Sequence, residues 1–408
     1  MNEPVYQPVY PQLFGKAFER CPEITYDALR LAGPIAWAEL TPGAFGMVVT
    51  SHAAALDLLN NSHDFTRDTR CWGDLNAGLV PPDSPLLGIM GWRPSLLYMD
   101  DSDHARLSQA LRDCLGRVED WELEEITGRA AHTVINRFAG DGNTDLVTGY
   151  ANTVPLLVLA ELLGCPPDTS HQMVDACAKI IDAGPEAAEG SAEFGAYLAA
   201  VVDLKRTRPG RDLATWLLTH ASGLTPDEVV NTLYTTTGAG QVPTSTWITQ
   251  STRLLLKDDP YAGDLTGGSV TIRRAMQKTL WEFSPLATFT FHIACHSTAL
   301  HGVKIPAGCP VLISHAACNT DPRLPQGIGY DSRAHLAFSA GAHRCPATKQ
   351  AAIITEIAIS TLFDRLSDME MTDGSTVVNR PGLFHQCPVS LNVAFKPRPV
   401  TATSGDQS

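Results

Sequence analysis

A cysteine in a glycine-containing turn is the residue of this sequence best placed to do chemistry. Cys345 follows Phe338, Gly341 and His343 in the segment LAFSAGAHRCPA, and Pro346 comes directly after it. Proline favours the first turn of a helix, so the pattern predicts a helix that begins at Pro346. Unpaired amides at a helix N-terminus stabilise a thiolate, which can act as a nucleophile or bind a metal. The alternative is a small buried cysteine that does no chemistry.

The spacing of these residues, Phe-x-x-Gly-x-His-x-Cys, resembles the haem-binding loop of the cytochromes P450. The resemblance implies that Cys345 binds a haem iron, because a thiolate ligand favours cleavage of the oxygen–oxygen bond. It also implies that Phe338 shields the sulfur, that Gly341 permits a tight loop beneath the porphyrin and that His343 lies near a propionate. The cofactors that follow are haem b, dioxygen and electrons from NAD(P)H through a reductase and ferredoxin. The family usually has Gly where this chain has Ala347.

Two further histidines match positions at which the family binds the haem propionates. His104 lies in SDHARL, and Ser108 stands four residues later, where the family often has an arginine. His292 lies in PLATFTFHIA, where an arginine commonly meets a propionate. We therefore expect His104, His292 and His343 to bind two carboxylates together, which would raise their pKa values. The alternative is that each is an ordinary surface or core histidine.

A long helix is predicted from about Thr225 to Leu256, since LTPDE offers a capping threonine, an early proline and acids in the first turn. The resemblance places the haem against a motif that the family writes Ala-Gly-x-Asp/Glu-Thr. This chain reads Ala239, Gly240, Gln241, Val242, Pro243, Thr244. Ala239 and Gly240 are therefore expected at the haem, while Val242 and Pro243 replace the acid and the alcohol. We expect Pro243 to interrupt the helix within residues 236–244.

Proton delivery to bound oxygen then needs other residues, and Thr244 and Gln241 are the candidate catalytic residues. The alternative is that both side chains merely satisfy the backbone of a broken helix. A second departure concerns the family's Glu-x-x-Arg, where this chain has Lys278 and Trp281. In this it resembles an actinomycete subgroup with Trp in place of that Arg. We expect Trp281 to pack where the ion pair would lie, with Arg333 over its ring.

The resemblance also indicates a substrate pocket roofed by residues 65–94. An apolar, aromatic-lined cavity suits a small aromatic substrate. The expected lining residues are Trp72, Met90, Trp92, Val242, Leu286, Thr288 and Phe384. Each of them could equally be plain core.

Charge and composition narrow the possible functions. The 408 residues carry a formal net charge of −14, which argues against a nucleic-acid binder. No apolar run approaches the length of a membrane span, and MNEPVYQPVYPQLF lacks the features of a secretory signal, so a cytoplasmic monomer is expected. A basic patch on the cysteine side is predicted to dock an acidic ferredoxin. Its residues are Arg112, Arg117, Arg344 and Lys349.

The predicted fold is mainly α, the cytochrome P450 fold, with a large helical body, a long central helix and a minor β region. We expect one haem-thiolate oxidase domain over residues 1–400 and a disordered tail over 401–408. The leading functional hypothesis is oxidative C–C or C–N coupling of a tryptophan-containing cyclodipeptide or short aromatic peptide in secondary metabolism. The alternatives are a hydroxylating monooxygenase of a hydrophobic small molecule and a non-catalytic haem or ligand binder.

Overall fold

Helices form most of the protein. The computed structural model describes residues 9–181, 186–257, 269–325, 330–372 and 378–399, so the predicted tail over 401–408 lies outside the described residues. The helices before the long central one are α1 Gly15–Arg20, α2 Pro22–Ala32, α3 His52–Leu59, α4 Gly73–Asn76, α5 Leu86–Met90, α6 Asp101–Leu115, α7 Asp120–Ile135, α8 Thr153–Leu163, α9 Ser170–Ile181, α10 Ala187–Thr207 and α11 Leu213–Leu218. Then follow α12 Pro226–Lys257, α13 Ser269–Glu282, α14 His315–Asn319 and α15 Thr348–Arg365.

Within the described residues, the strands form three small sheets. The largest has the order β1-β2-β8-β5-β3, and the others have the orders β4-β10-β9 and β6-β7. Their bounds are β1 Ile35–Thr41, β2 Ala44–Val49, β3 Phe65–Thr66, β4 Asn143–Asp145, β5 Thr288–Ala294, β6 Thr298–Leu300, β7 Val303–Ile305, β8 Pro310–Ser314, β9 Glu370–Met371 and β10 Asn392–Ala394. The fold is thus mainly α with a minor β region, as predicted.

Apolar side chains fill both faces of the five-stranded sheet and the interior of the helical body. Successive residues of a strand point to opposite faces, and in β8 Leu312 joins one apolar cluster while Val311 and Ile313 join the other. In the helical body, the buried Tyr150 hydroxyl donates to the Ala358 carbonyl of α15 at 2.7 Å. Among the described helices, none has both the length and the apolar composition that a bilayer crossing requires.

The central helix α12 contradicts one prediction, because it continues through residues 236–244 instead of breaking there. It runs for 32 residues with Pro243 inside it. Its start follows the predicted pattern, since Thr225 and Glu228 cap each other's main-chain amides at 3.2 and 2.8 Å. The residues from Thr244 to Leu255 are buried, and this packing holds the helix together across the hydrogen bond that proline cannot donate.

The helix after Cys345 begins later than predicted. Its first residue is Thr348 and its N-cap is Ala347, so Pro346 belongs to the preceding turn. Two hydrogen bonds keep the chain in a loop up to that point. The Cys345 amide donates to the Phe338 carbonyl at 3.0 Å, and the Thr348 hydroxyl donates to the Cys345 carbonyl at 3.2 Å.

Trp281, which the resemblance aligns with the arginine of the family's ion pair, is buried on α13. Its indole N–H donates to the Ser332 carbonyl at 3.1 Å. Among the described residues it is His335, and not the expected Arg333, whose side chain lies against this ring, edge-on with centroids 5.8 Å apart. A neutral hydrogen bond and ring packing therefore join α13 to the segment before the cysteine loop.

An arginine introduced at residue 281 should destabilise the protein. Trp281→Arg would bury a guanidinium with a lysine, Lys278, one helical turn away, and an uncompensated buried charge costs about 3–5 kcal/mol. Trp281→Phe keeps the ring and loses the hydrogen bond, so we expect a loss of about 1 kcal/mol. Denaturant unfolding of the haem-loaded protein measures both, with exposed Trp121→Phe as the matched control. Equal stability of Trp281→Arg and the parent would contradict this account.

Candidate active site around Cys345

The cysteine loop has a backbone that only certain residues can adopt. Ser339 and Gly341 have φ angles of 57° and 67°, in the left-handed region. A Cβ atom added at Gly341 would overlap the main-chain oxygen of Leu59, the last residue of α3. The loop and α3 therefore approach each other backbone to backbone, and this explains the glycine.

The groups around Cys345 stabilise a thiolate only in part, so the thiolate form needs a bound cation as well. Burial raises the pKa of the Cys345 thiol, while the Ala347 amide, the Thr348 hydroxyl and the Arg344 guanidinium act in the opposite direction. These three groups would stabilise a thiolate whose charge is shared with a metal cation. Phe338 packs beside the loop, with its ring 5.7 Å from that of Trp247.

One side of α12 is accessible near the middle of the helix. Gly238 and Ala239 are exposed and Val242 is half-buried, although Gln241 and Thr244 are buried. A Cβ atom added at Gly238 would meet nothing within 4 Å. At Gly240 it would lie 3.2 Å from the Leu159 side chain, so that residue faces α8. The accessible strip therefore leaves room for a cofactor or substrate against this side of α12.

The predicted histidines gather in one buried cluster. The rings of His104 and His343 have centroids 3.9 Å apart, and His343 Nε2 lies 3.3 Å from Asp100 Oδ1. The fully buried His292 has an Nδ1 atom without a hydrogen-bond partner among the described residues. Asp100 also accepts the Arg67 amide at 2.8 Å. The cluster thus combines several nitrogen donors with one carboxylate.

Arg67 completes this cluster, and the sequence reasoning missed it. Its side chain is 2% exposed and donates to the main-chain oxygens of Phe291 at 2.7 Å and Leu97 at 3.2 Å. Burial lowers the pKa of Arg67 to about 10, so the guanidinium remains charged at neutral pH. The signal was indirect, because Ser108 and His292 replace both family arginines and a cation must come from elsewhere.

The histidine pKa values differ in direction from the expectation. Burial lowers the pKa of His104 to about 4, and burial likewise lowers the pKa values of His292 and His343. Burial outweighs the attraction of Asp100, which is the opposite charge that the described residues supply, and the nearby Arg67 also opposes protonation. Two carboxylates bound here would reverse that balance.

The expected pocket residues come together in part. Trp72, Met90 and Phe384 belong to one buried apolar cluster, and Trp92 packs against it. Arg70 lies over the Trp92 ring, 4.3 Å from its centroid. Both indole N–H groups lack a partner among the described residues. These aromatic side chains therefore share one apolar cluster that contains two indole donors without a described acceptor.

The other expected pocket and catalytic residues lie on β5, just before it, and on α12. Thr288 is buried at the start of β5, and Leu286 is half-buried just before it. On α12, the Gln241 amide donates to the Asn152 carbonyl at 3.2 Å, which turns it toward the segment before α8. Thr244 is buried on the same helix.

Comparisons with known proteins agree with this geometry. No protein-family model matches the sequence. The chain is 26% identical over 374 residues to 2-hydroxy-5-methyl-1-naphthoate 7-hydroxylase of Streptomyces carzinostaticus, covering 86% of this chain and 91% of that protein. It is 27% identical over 372 residues to the cytochrome P450 monooxygenase PikC of Streptomyces venezuelae, covering 88% and 86%. The solved structure of CYP154C4 from Streptomyces sp. W2061 superposes with a TM-score of 0.82 at 24% identity, covering 95% and 98%.

The chain is a cytochrome P450 oxidoreductase. Such enzymes use haem b, dioxygen and electrons from NAD(P)H through ferredoxin and reductase partners. The residues present fit haem b on three observations: the unpartnered His292 nitrogen, the accessible strip of α12 and the donors around Cys345. Cys345 would hold the iron, and the histidines with Arg67 would hold the propionates. The bound haem supplies dioxygen activation.

The expected basic patch on the cysteine side of this P450 is a mixed-charge surface. Arg112, Arg117, Arg344 and Lys349 are exposed, but Lys349 pairs with Asp120 at 2.6 Å. A recess of about 930 Å³ lies on this side between the cysteine loop, α3 and α15, and Asp120, Glu124 and Glu356 line it together with Arg273, Arg333, Arg344 and Lys349.

Replacing Gly341 should damage the loop more than an equivalent change elsewhere. Gly341→Ala and Gly302→Ala both force an L-residue into the left-handed region, at a cost of about 1–2 kcal/mol. Gly302 has a φ angle of 79° with nothing within 4 Å, whereas Gly341 faces the Leu59 oxygen. We expect only Gly341→Ala to weaken the Soret band of the reduced carbon-monoxide complex. Equal spectra for the two variants would contradict the close approach.

Removing the Arg67 charge should loosen the haem. A hydrogen bond to a charged group contributes about 1.5–3 kcal/mol, so Arg67→Met should speed haem transfer to apomyoglobin roughly ten- to a hundredfold. The reduction potential should fall as well, because a positive charge near the haem favours the reduced state. Arg70→Met is the matched control, since Arg70 pairs with Asp68 at 2.6 Å and is largely exposed. Unchanged transfer and potential would remove Arg67 from the propionate site.

Proposed function

We propose that this P450 is a monooxygenase that inserts an oxygen atom into a small aromatic natural product of secondary metabolism. The aromatic cluster of Trp72, Trp92 and Phe384 carries the proposal, because a flat aromatic substrate gains contact area against such rings. The hydroxylase of a naphthoate among the relatives supports the same substrate class. The reaction consumes one dioxygen, two electrons and two protons, and yields the hydroxylated product and one water.

The free indole donors suggest which substrates orient well. A buried N–H without an acceptor costs free energy until a partner arrives. A substrate with a carbonyl or carboxylate beside its rings could accept from Trp72 or Trp92. Arg70, stacked on Trp92, adds positive charge at the same place.

Proton delivery is assigned to Thr244 rather than Gln241 in this proposal. The Gln241 amide is engaged by Asn152, whereas a hydroxyl at Thr244 sits one residue after Pro243. Pro243 cannot donate its own main-chain proton, so the carbonyl of Ala239 is available to hold a water. Thr244 would hold that water and move protons through its hydroxyl toward the place that haem would occupy.

The second candidate function is oxidative C–C or C–N coupling of a tryptophan-containing cyclodipeptide or short aromatic peptide. Val242 and Pro243 in place of the acid and alcohol favour it, and so does Trp281 in place of the family's arginine. Coupling removes two hydrogen atoms from the substrate, and dioxygen leaves as two waters after taking up two electrons and two further protons. The product then contains no oxygen from dioxygen.

Electrons are proposed to arrive from a ferredoxin that docks at the recess on the cysteine side. Arg344 and Lys349 would meet its acids, and the partner would complement Asp120 and Glu124 with its own cations. Charges of both signs around the recess would orient the bound ferredoxin rather than make its binding tight, because charge complementarity mainly sets encounter rate and specificity.

One assay distinguishes these functions. The purified haem protein, a ferredoxin, its reductase and NADPH are incubated with aromatic carboxylic acids and tryptophan-containing cyclodipeptides under isotopically labelled dioxygen. We expect a product that gains one labelled oxygen atom, and Cys345→Ser should abolish both product and the characteristic carbon-monoxide spectrum. A product that loses two hydrogens without label would favour coupling. No NADPH-dependent product from any compound that shifts the haem spin state would favour a non-catalytic binder.

A further inference from the structure

Two histidines and an aspartate meet at the surface where β3 and β5 pair. His63 and Asp64 directly precede β3, and His296 follows β5. Because Phe65 pairs with Ala294, the sheet brings the two segments together. His63 Nδ1 lies 2.8 Å from Asp64 Oδ1, and His296 Nε2 lies 3.0 Å from the same oxygen. The three potential ligand atoms all lie within 4.8 Å of one another.

The carboxylate of this cluster is oriented by other residues. Asp64 Oδ2 accepts a hydrogen bond from the Asn61 amide at 2.9 Å and another from the Thr298 hydroxyl at 3.0 Å. Asn61 in turn accepts the Asp64 main-chain amide at 3.1 Å. Hydrogen bonds of this kind hold a ligating carboxylate in position. They leave Oδ1 directed at the two imidazoles.

We propose that His63, Asp64 and His296 bind one divalent transition-metal ion, with Zn²⁺ as the expected ion. Imidazole and carboxylate ligands lie about 2.0–2.2 Å from zinc, so neighbouring ligand atoms are roughly 3 Å apart. The separations of 2.8 and 3.0 Å are close to that spacing. Mg²⁺ and Ca²⁺ prefer oxygen ligands, so two imidazoles select against them. Water completes the coordination, because His63 and His296 face solvent.

The site has a structural consequence that reaches the haem side. A bound ion would join the segment before β3 to the segment after β5. The short β3 leads directly to Arg67, whose amide binds Asp100, while β5 carries His292. A ligand that binds only the folded state stabilises it, so zinc should raise the melting temperature.

Calorimetric titration of the untagged, haem-containing protein with ZnCl₂ tests the site. We expect one ion per chain and a higher melting temperature in its presence. His63→Ala and His296→Ala should each weaken binding at least about tenfold, and Thr298→Val should weaken it roughly tenfold by freeing the carboxylate. His301→Ala is the matched control, because His301 pairs with Asp57 at 2.7 Å outside the cluster, and it should bind as the parent does.

The contrary results are equally definite. Equal zinc affinity in the parent, His63→Ala and His296→Ala would overturn the proposal, as would the absence of binding in the parent. Loss of binding in His301→Ala would move the site to that histidine. Mg²⁺ binding as tight as zinc binding would also contradict it. The His63 side chain is 88% exposed, so its removal leaves the fold intact and keeps the test decisive.

Discussion

A buried guanidinium that forms no direct ion pair with any described residue dominates the haem side of this P450. Arg67 is held by main-chain oxygens and shares Asp100 with three buried histidines. A buried cation costs several kcal/mol unless nearby anions compensate it, and Asp100 supplies one negative charge here. The two propionates of haem b would add further negative charge, so cofactor binding and the stability of this region are linked. The strands β3 and β5 and the start of α6 are arranged around this one requirement.

The resemblance aligns three residues of this chain with positions where the family keeps arginine. It aligns Ser108 and His292 with two propionate-binding arginines, and Trp281 with the arginine of the ion pair. A different cation, Arg67, lies in the histidine cluster directly after β3. The Trp281 indole N–H donates to the Ser332 carbonyl. Replacing a buried ion pair by well-packed groups can be neutral in stability, so each change is tolerable by itself.

The sequence predicted what depends on local pattern. The capped start of α12 follows from residue spacing, and the cysteine loop and the three histidines followed from the family resemblance. Arg67 could not be found in this way, because its role arises from the pairing of β3 with a strand more than two hundred residues later. The continuity of α12 through Pro243 also depends on tertiary packing, which outweighs the local preference of proline. The late start of α15 depends on hydrogen bonds that close the cysteine loop on itself.

The backbone contact between Gly341 and Leu59 has a mechanical consequence. His52 and Leu56 of α3 line the recess on the cysteine side, and Leu59 ends the same helix against the loop. A protein seated in that recess would push on α3 and on the loop together. With no side chain between Gly341 and Leu59, a shift of the helix would also displace the loop that carries Cys345. Contact with a partner protein would then alter the geometry around the sulfur that would hold the haem iron.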